Sequence, residues 1–291
     1  MFMTNQILDF TQYDLRALIE ADFGPLPTTT KLADAELDWL HFQARTVPMR
    51  PRRVIVSTEA ESFRATHPTI TTLERKLRVG EDVRPWLSNS ARTRQADPRA
   101  DMLFNDWQII HFHLSDEFGT QDAVKRTGPL LFAYLSADHV VFLTVKPHKN
   151  SFALQEYLRI LLRTNPQDME SVEIKGINGL AHVLSDEDIF NMRKNGVNTF
   201  IEIGGRFFAA PGQGVVASKH ALRLSRFRDM FHLMIEETKS LLRQGHWPEA
   251  QTPAPLMTTT QVQIGLKFSE GVLTTCDKLR GINFLSMKPL E

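Results

Sequence analysis

The chain has 291 residues, of which 42% are hydrophobic and 23% charged, and this composition excludes an intrinsically disordered protein. Its 34 Lys and Arg residues balance its 34 Asp and Glu residues, so any contact with nucleic acid must come from a local basic patch. The single cysteine, Cys276, excludes an intrachain disulfide and is typical of a reducing compartment; we expect a buried, inert thiol. The sequence does not open with a secretory signal, and its longest apolar runs are strand-sized, so we expect a cytoplasmic protein without membrane contact.

The first 95 residues are predicted to be mainly helical. Apolar residues at helical spacing predict helices at 4–23, with Thr4 as the N-cap, at 31–45 and at 69–79, and β-branched residues predict a short strand at 54–56. The polar, turn-rich stretch at 87–101 indicates a surface loop or a subdomain boundary.

In the centre of the sequence, β-branched and aromatic residues become frequent. They predict three strands at 107–114, 130–135 and 140–145, and a hairpin-sized connection joins the last two. A helix is predicted to follow at 151–163, because apolar residues recur there at helical spacing. The predicted order of this block is therefore strand, strand, strand, helix.

The last third of the chain carries clear capping and turn signals. Ser185 followed by Asp188 predicts a capped helix, and the Gly-Gly pair at 204–205 predicts a two-residue hairpin. A long helix at 218–243, capped by Ser218, a linker at 247–255 and alternating strand residues from 261 onward complete the pattern.

These elements together predict an α+β fold with a central, mainly antiparallel sheet and flanking helices. We expect an N-terminal helical region at 1–95, a central α+β core at 96–249, and a C-terminal β meander at 250–291 that packs on the core.

The best candidate site lies in the central block. His111 and His113 are two residues apart on a predicted strand, so both imidazoles project from the same face. His148 ends the third strand, and Arg126 and Lys146 supply cations near the same end of the sheet. Paired imidazoles can act as general base and general acid, and nearby cations can stabilise a pentavalent phosphate.

Three other interpretations of these residues stay open. The two histidines can be half-buried, hydrogen-bonded side chains without a catalytic role. Alternatively, His111, His113, His148 and Asp106 can bind a zinc-like divalent metal in a metal-dependent hydrolase. A third interpretation is a non-enzymatic binding protein that forms a homo-oligomer, in which the Met- and Phe-rich stripe of the long helix and the C-terminal strand build the interface.

A resemblance to other proteins favours the interpretation of the paired imidazoles as the reaction centre of a ribonuclease. The segments DWQIIHFHL, KRTGPLLFAYL and VVFLTVKPH resemble a pattern in uncharacterised bacterial proteins placed near toxin or phage-defence genes, over about residues 85–165. The layout of imidazoles, basic residues and a small antiparallel sheet is also similar to that of toxin-type, metal-independent ribonucleases. This resemblance implies a bacterial, RNA-binding endoribonuclease without a cofactor, whose partners would be RNA and an inhibitor or a neighbouring-gene product.

In this hypothesis, His111 and His113 share the general base and general acid roles, with His148 as a third participant. Arg126 and Lys146 stabilise the phosphorane, and the ribose 2′-hydroxyl attacks to leave a cyclic phosphate.

Overall fold

The computed structural model describes residues 6–92, 101–119, 122–126, 128–179, 182–218, 220–246 and 261–287. Over these ranges the protein has the predicted α+β fold, with helices and three mainly antiparallel sheets. The chain divides into two compact units: the first combines Met1–Gln43 with Leu224–Leu290, and the second is Ala44–Arg223. The predicted domain boundaries at 95 and 249 stay a prediction. No helix in the described ranges is long and apolar enough to cross a membrane.

Both helices and strands are distributed along the whole of the described chain. The helices are α1 (Thr11–Phe23), α2 (Leu32–Arg45), α3 (Thr58–Glu61), α4 (Thr69–Val79), α5 (Asn89–Arg92), α6 (Met102–Trp107), α7 (Glu156–Thr164), α8 (Pro166–Glu170), α9 (Asp186–Lys194) and α10 (Leu222–Arg243), with a 3-10 turn at Arg84–Trp86. The strands are β1 (Gln6–Asp9), β2 (Arg53–Val56), β3 (Ile109–His113), β4 (Pro129–Leu135), β5 (His139–Pro147), β6 (Glu173–Ile174), β7 (Ile201–Ile203), β8 (Arg206–Phe208), β9 (Gln261–Ser269), β10 (Val272–Asp277) and β11 (Asn283–Ser286).

The first unit contains the predicted C-terminal meander, β9 to β11, which forms a four-stranded sheet in the order β1-β9-β10-β11. The first strand was not predicted: residues 6–9 pair in parallel with β9 instead of opening a helix. The predicted helix at 4–23 is therefore wrong at its start, and its proposed cap, Thr4, lies outside the described residues. Asp9 stabilises the start of α1, because its Oδ1 accepts a hydrogen bond of 2.9 Å from the backbone N–H of Thr11. Cys276 is buried in β10, as predicted.

The second unit is built on a four-stranded sheet in the order β2-β5-β4-β3. The pairs β3–β4 and β4–β5 are antiparallel, as predicted, and β2 joins β5 in parallel at the other edge. Helix α7 packs against one face, where Phe132 stacks on Tyr157 with ring centroids 4.8 Å apart. A smaller three-stranded sheet in the order β6-β8-β7 completes this unit.

Several predicted elements of the second unit have the expected form. Ser185 and Asp188 form a reciprocal capping box at the start of α9. Gly204 and Gly205 both have positive φ, of 62° and 75°, as a type I′ turn between β7 and β8 requires.

Three further predicted bounds are wrong. Trp107 ends α6 rather than starting a strand, and Gln108 takes a left-handed φ of 56° before β3 begins. The helix expected at 151 begins at Glu156, after a segment that lies beside the candidate site. The long helix begins at Leu222, so Ser218 does not cap it; its hydroxyl hydrogen-bonds His220 instead. The predicted linker at 247–255 and most of the predicted loop at 87–101 lie outside the described residues.

Candidate functional site

The register of the central sheet places the predicted histidines on one face. His111 lies opposite Phe132, and His113 lies opposite Leu130. Directly paired residues in an antiparallel sheet project to the same side, so both imidazoles share the face that α7 covers. Lys146 lies opposite Leu130 on the next strand, and therefore occupies this face two strands away from His113.

His111, His113 and His148 come together as predicted, and we call them the histidine cluster. His111 is the central member: its ring centroid is 6.1 Å from that of His113 and 6.3 Å from that of His148. His148 follows β5, and its backbone N–H donates a hydrogen bond of 3.1 Å to the carbonyl of Gly128, which fixes this residue beside the start of β4.

Aromatic rings surround the central imidazole. The ring of Phe152 lies 5.3 Å from that of His111 and 5.2 Å from that of His148, and Phe132 lies 5.9 Å away on the sheet. The Nε2 atom of His111 is buried and has no hydrogen-bond partner among the described residues. Burial, assisted by the nearby His113, His148 and Arg126, lowers the pKa of His111 to about 3. His111 is therefore a neutral imidazole at physiological pH.

Arg126 is held by the cluster. One guanidinium nitrogen of Arg126, Nη1, contacts Nε2 of the buried His113. A guanidinium can only donate, so Nε2 must accept, and His113 is a neutral imidazole with its proton on Nδ1. Partial burial and the nearby Arg92 lower the pKa of Arg126. Within the described part of the chain, Arg126 forms no ion pair with a carboxylate.

Two of the predicted site residues are bound to other partners. Lys146 forms an ion pair of 2.7 Å with Glu156 of α7, so its charge is already compensated. Asp106 forms a buried ion pair of 2.5 Å with Arg193 of α9. Among the described residues, no three His, Cys, Asp or Glu side chains have an arrangement that could hold a metal ion.

Arg193 supports the site and was not predicted. It lies over the ring of Trp107, 3.7 Å from the ring centroid, and its Nη1 donates a hydrogen bond of 3.1 Å to the backbone carbonyl of Phe152. The hydroxyl of Tyr157 donates one of 2.7 Å to the carbonyl of Ser151. These two buried side chains fix the segment that places Phe152 against His111. No local pattern could reveal the role of Arg193, because its partner Phe152 lies 41 positions away in the sequence.

A second histidine environment lies at the other end of β5. Nδ1 of His139 is 2.7 Å from Oδ1 of Asp138, and Nε2 is 2.9 Å from Oδ2 of Asp168. Carboxylates accept hydrogen bonds, so both ring nitrogens donate and His139 is an imidazolium. The hydrogen bond from His139 to Asp168 is the main cause that raises the pKa of His139. The sequence offered only one signal, the neighbouring acid at position 138.

His148 is the member of the histidine cluster that is most open to solvent. It is exposed, whereas His111 is half-buried and His113 is buried. His148 lines an open cleft of about 690 Å³, together with Phe152 and residues of α9. The size lies within the range of small-molecule sites, and a ligand in this cleft would lie beside His148.

Comparison of the chain with protein families, with curated proteins and with solved structures finds no match. The function must therefore be inferred from the side chains themselves.

Proposed function

We propose that the protein is a metal-independent endoribonuclease whose reaction centre is the histidine cluster with Arg126. One observation carries the proposal: His148 and Arg126 both lie near His111, and in the described part of the chain none of the three has a carboxylate partner. Imidazoles and a guanidinium that are not paired with carboxylates favour an anion, and a phosphodiester is the anion that paired imidazoles can cleave.

The geometry supports separate roles for the three imidazoles. His111 is neutral and would take the proton of the ribose 2′-hydroxyl, a role for which the negative charge of a bound phosphodiester must raise its lowered pKa. The 2′-oxygen then attacks phosphorus, and the bond to the 5′-oxygen breaks. His148, 6.3 Å away, would donate a proton to that leaving oxygen, and the products are a 2′,3′-cyclic phosphate and a free 5′-hydroxyl.

Arg126 would stabilise the negative charge of the phosphorane, and His113 would position Arg126 through its Nε2 atom. This assignment differs from the prediction from sequence, in which His113 was a proton-transfer residue and Lys146 a second cation. Phe152 covers His111, so RNA must displace the ring of Phe152 to reach the imidazole of His111.

The test is cleavage of RNA in excess EDTA by the purified protein and by the variants His111→Ala and His148→Ala. We expect each variant to lose at least about 100-fold in rate, the usual contribution of general acid–base catalysis. His246→Ala is the control, because this histidine is exposed at the end of α10. DNA of the same sequence should not be cleaved, since it lacks the attacking 2′-hydroxyl. Full activity in both variants would refute the proposal, and cleavage that EDTA abolishes would favour the metal-dependent hydrolase.

Homo-oligomeric assembly is a second proposal, because α10 exposes two large apolar side chains one turn apart. Met230 is 55% exposed and Leu233 is 69% exposed. Exposed apolar residues that neighbour each other on a helix favour a protein interface. Light scattering tests this: a concentration-dependent dimer that Leu233→Glu dissociates would support assembly, and a strict monomer at high concentration would contradict it.

A further inference from the structure

The cleft beside His148 has the side chains of a nucleobase site. Its lining includes His148 and Phe152, together with Asp186, Glu187 and Phe190 of α9. Phe190 lies three and four positions after the two acidic residues, so all three share one face of that helix. Phe190 is 50% exposed although it is a large aromatic residue, and it offers a surface on which a planar ring can stack.

The acidic groups of the cleft favour a ligand that donates hydrogen bonds. Oδ1 of Asp186 accepts a hydrogen bond of 3.0 Å from the backbone N–H of Gln155, so this carboxylate serves the structure. Glu187 is exposed and, within the described ranges, its side chain makes neither a hydrogen bond nor an ion pair. Its two oxygens can accept two parallel hydrogen bonds from a ligand.

Guanine matches this chemistry better than the other RNA bases. Its Watson–Crick edge presents two adjacent donors, the N1–H and the N2 amino group, whereas adenine presents one amino donor beside an acceptor. Proteins that read unpaired RNA bases stack them on aromatic side chains and hydrogen-bond this edge. We propose that the cleft binds a guanine base between Phe152 and Phe190, with Glu187 as the residue that accepts from N1 and N2.

This inference rests on the proposed function for its biological meaning, because His148 belongs both to the cleft and to the histidine cluster. A guanine in the cleft would lie next to the proposed proton donor. The enzyme would then cleave single-stranded RNA beside guanines in preference to other bases.

The test uses free nucleosides, which contain no phosphodiester, so that binding is measured apart from cleavage. Calorimetry should show guanosine binding at least about tenfold more tightly than adenosine, as two hydrogen bonds to a charged group imply. Inosine, which lacks the N2 amino group, should bind with intermediate affinity. Glu187→Gln should remove the preference, and Phe190→Ala should weaken the binding of every nucleoside by about tenfold, because it removes the stacking surface.

Two control variants match these changes. Glu202→Gln alters a carboxylate of β7, and Phe200→Ala removes an aromatic ring that is 48% exposed; neither residue lines the cleft. Both should bind guanosine like the wild type. Equal affinities for guanosine and adenosine, or no binding of any nucleoside at millimolar concentration, would overturn the inference.

The two proposals fail separately. Guanosine binding that depends on Glu187, without cleavage of RNA, would refute the endoribonuclease and keep the guanine site. Cleavage of RNA without preference for any base, in a protein that does not bind guanosine, would refute the guanine site and keep the endoribonuclease.

Discussion

The ring of Phe152 meets the imidazole of His111 edge-on, with the ring centroids 5.3 Å apart and the planes at 81°. This contact helps to keep water from the Nε2 atom of His111, which is buried without a hydrogen-bond partner among the described residues. A buried, unsatisfied polar atom costs about 1–3 kcal/mol, so His111 lowers the stability of the fold that contains it. Residues that reduce stability in this way are typical of functional sites.

Replacing His111 by Leu should therefore separate stability from function. Leu fills a similar volume between Phe132 and Phe152 and removes the unsatisfied nitrogen. We therefore expect the free energy of unfolding of the variant to equal that of the wild type or to exceed it by up to about 1 kcal/mol. Urea unfolding at pH 7 measures this. RNA cleavage by the same variant should be lost.

A large loss of stability in His111→Leu would contradict this expectation, because it would mean that the imidazole makes a favourable polar contact. Unchanged cleavage by a stable variant would show instead that His111 is a purely structural residue.

The pKa of His111 also predicts how stability depends on pH. Its pKa is lowered to about 3 in the folded protein, whereas an unfolded histidine titrates near 6.5. Between these values only the unfolded state binds the proton, so the free energy of unfolding falls as the pH decreases from about 6.5 towards 3, by a few kcal/mol. Above pH 7 this contribution is constant. Urea unfolding at several pH values should show a shallower acid dependence for His111→Leu than for the wild type.

Much of this site could be predicted from sequence because its geometry is local. The two-residue period of a strand places His111 and His113 on one face, and the short hairpin between β4 and β5 brings His148 beside them. The ion pair between Lys146 and Glu156 was not predicted. The helix that carries Glu156 was predicted to begin five residues too early, and the sequence does not show how this helix is oriented on the sheet.

What could not be predicted depends on pairing between distant segments. Residues 6–9 have an amphipathic pattern that suits a helix as well as a strand, and only parallel pairing with β9, which begins at Gln261, decides for the strand. The contact of Arg193 with Asp106 likewise spans 87 positions. Neither partner carries a local signal for the other.

His139 should make the stability of the fold depend on pH in the direction opposite to that of His111. Its pKa is raised in the folded state, mainly by the hydrogen bond to Asp168, so its contribution is complete below the unfolded pKa of about 6.5. The contribution is lost as the pH rises through the folded pKa, because the neutral ring can donate only one hydrogen bond. We expect the free energy of unfolding to decrease above neutral pH.

The two carboxylates that bind His139 provide a matched pair of variants. Asp168 is 11% exposed, whereas Asp138 is 80% exposed and is screened by solvent. Asp168→Asn should remove most of the decrease in stability above neutral pH, and Asp138→Asn should change stability by no more than about 0.5 kcal/mol. Equal effects of the two variants would contradict the dominant role of Asp168.

The buried ion pair between Asp106 and Arg193 should be the most sensitive polar contact near the site. Both side chains are almost fully buried, and removal of one leaves an uncompensated charge away from water. Arg193→Met should therefore lower the free energy of unfolding by about 3–5 kcal/mol. Arg159→Ala, a change to an exposed arginine of α7, is the control and should stay within about 0.5 kcal/mol of the wild type.

A double variant tests whether the cost comes from the orphaned charge. Asp106→Leu combined with Arg193→Met removes both charges and fills the space with apolar atoms, so it should be more stable than Arg193→Met alone. The double variant still lacks the hydrogen bond from Arg193 to the carbonyl of Phe152. If that bond positions Phe152 over His111, RNA cleavage should remain impaired in the double variant although stability recovers. Recovery of both properties together would show that Arg193 acts only through the stability of the fold.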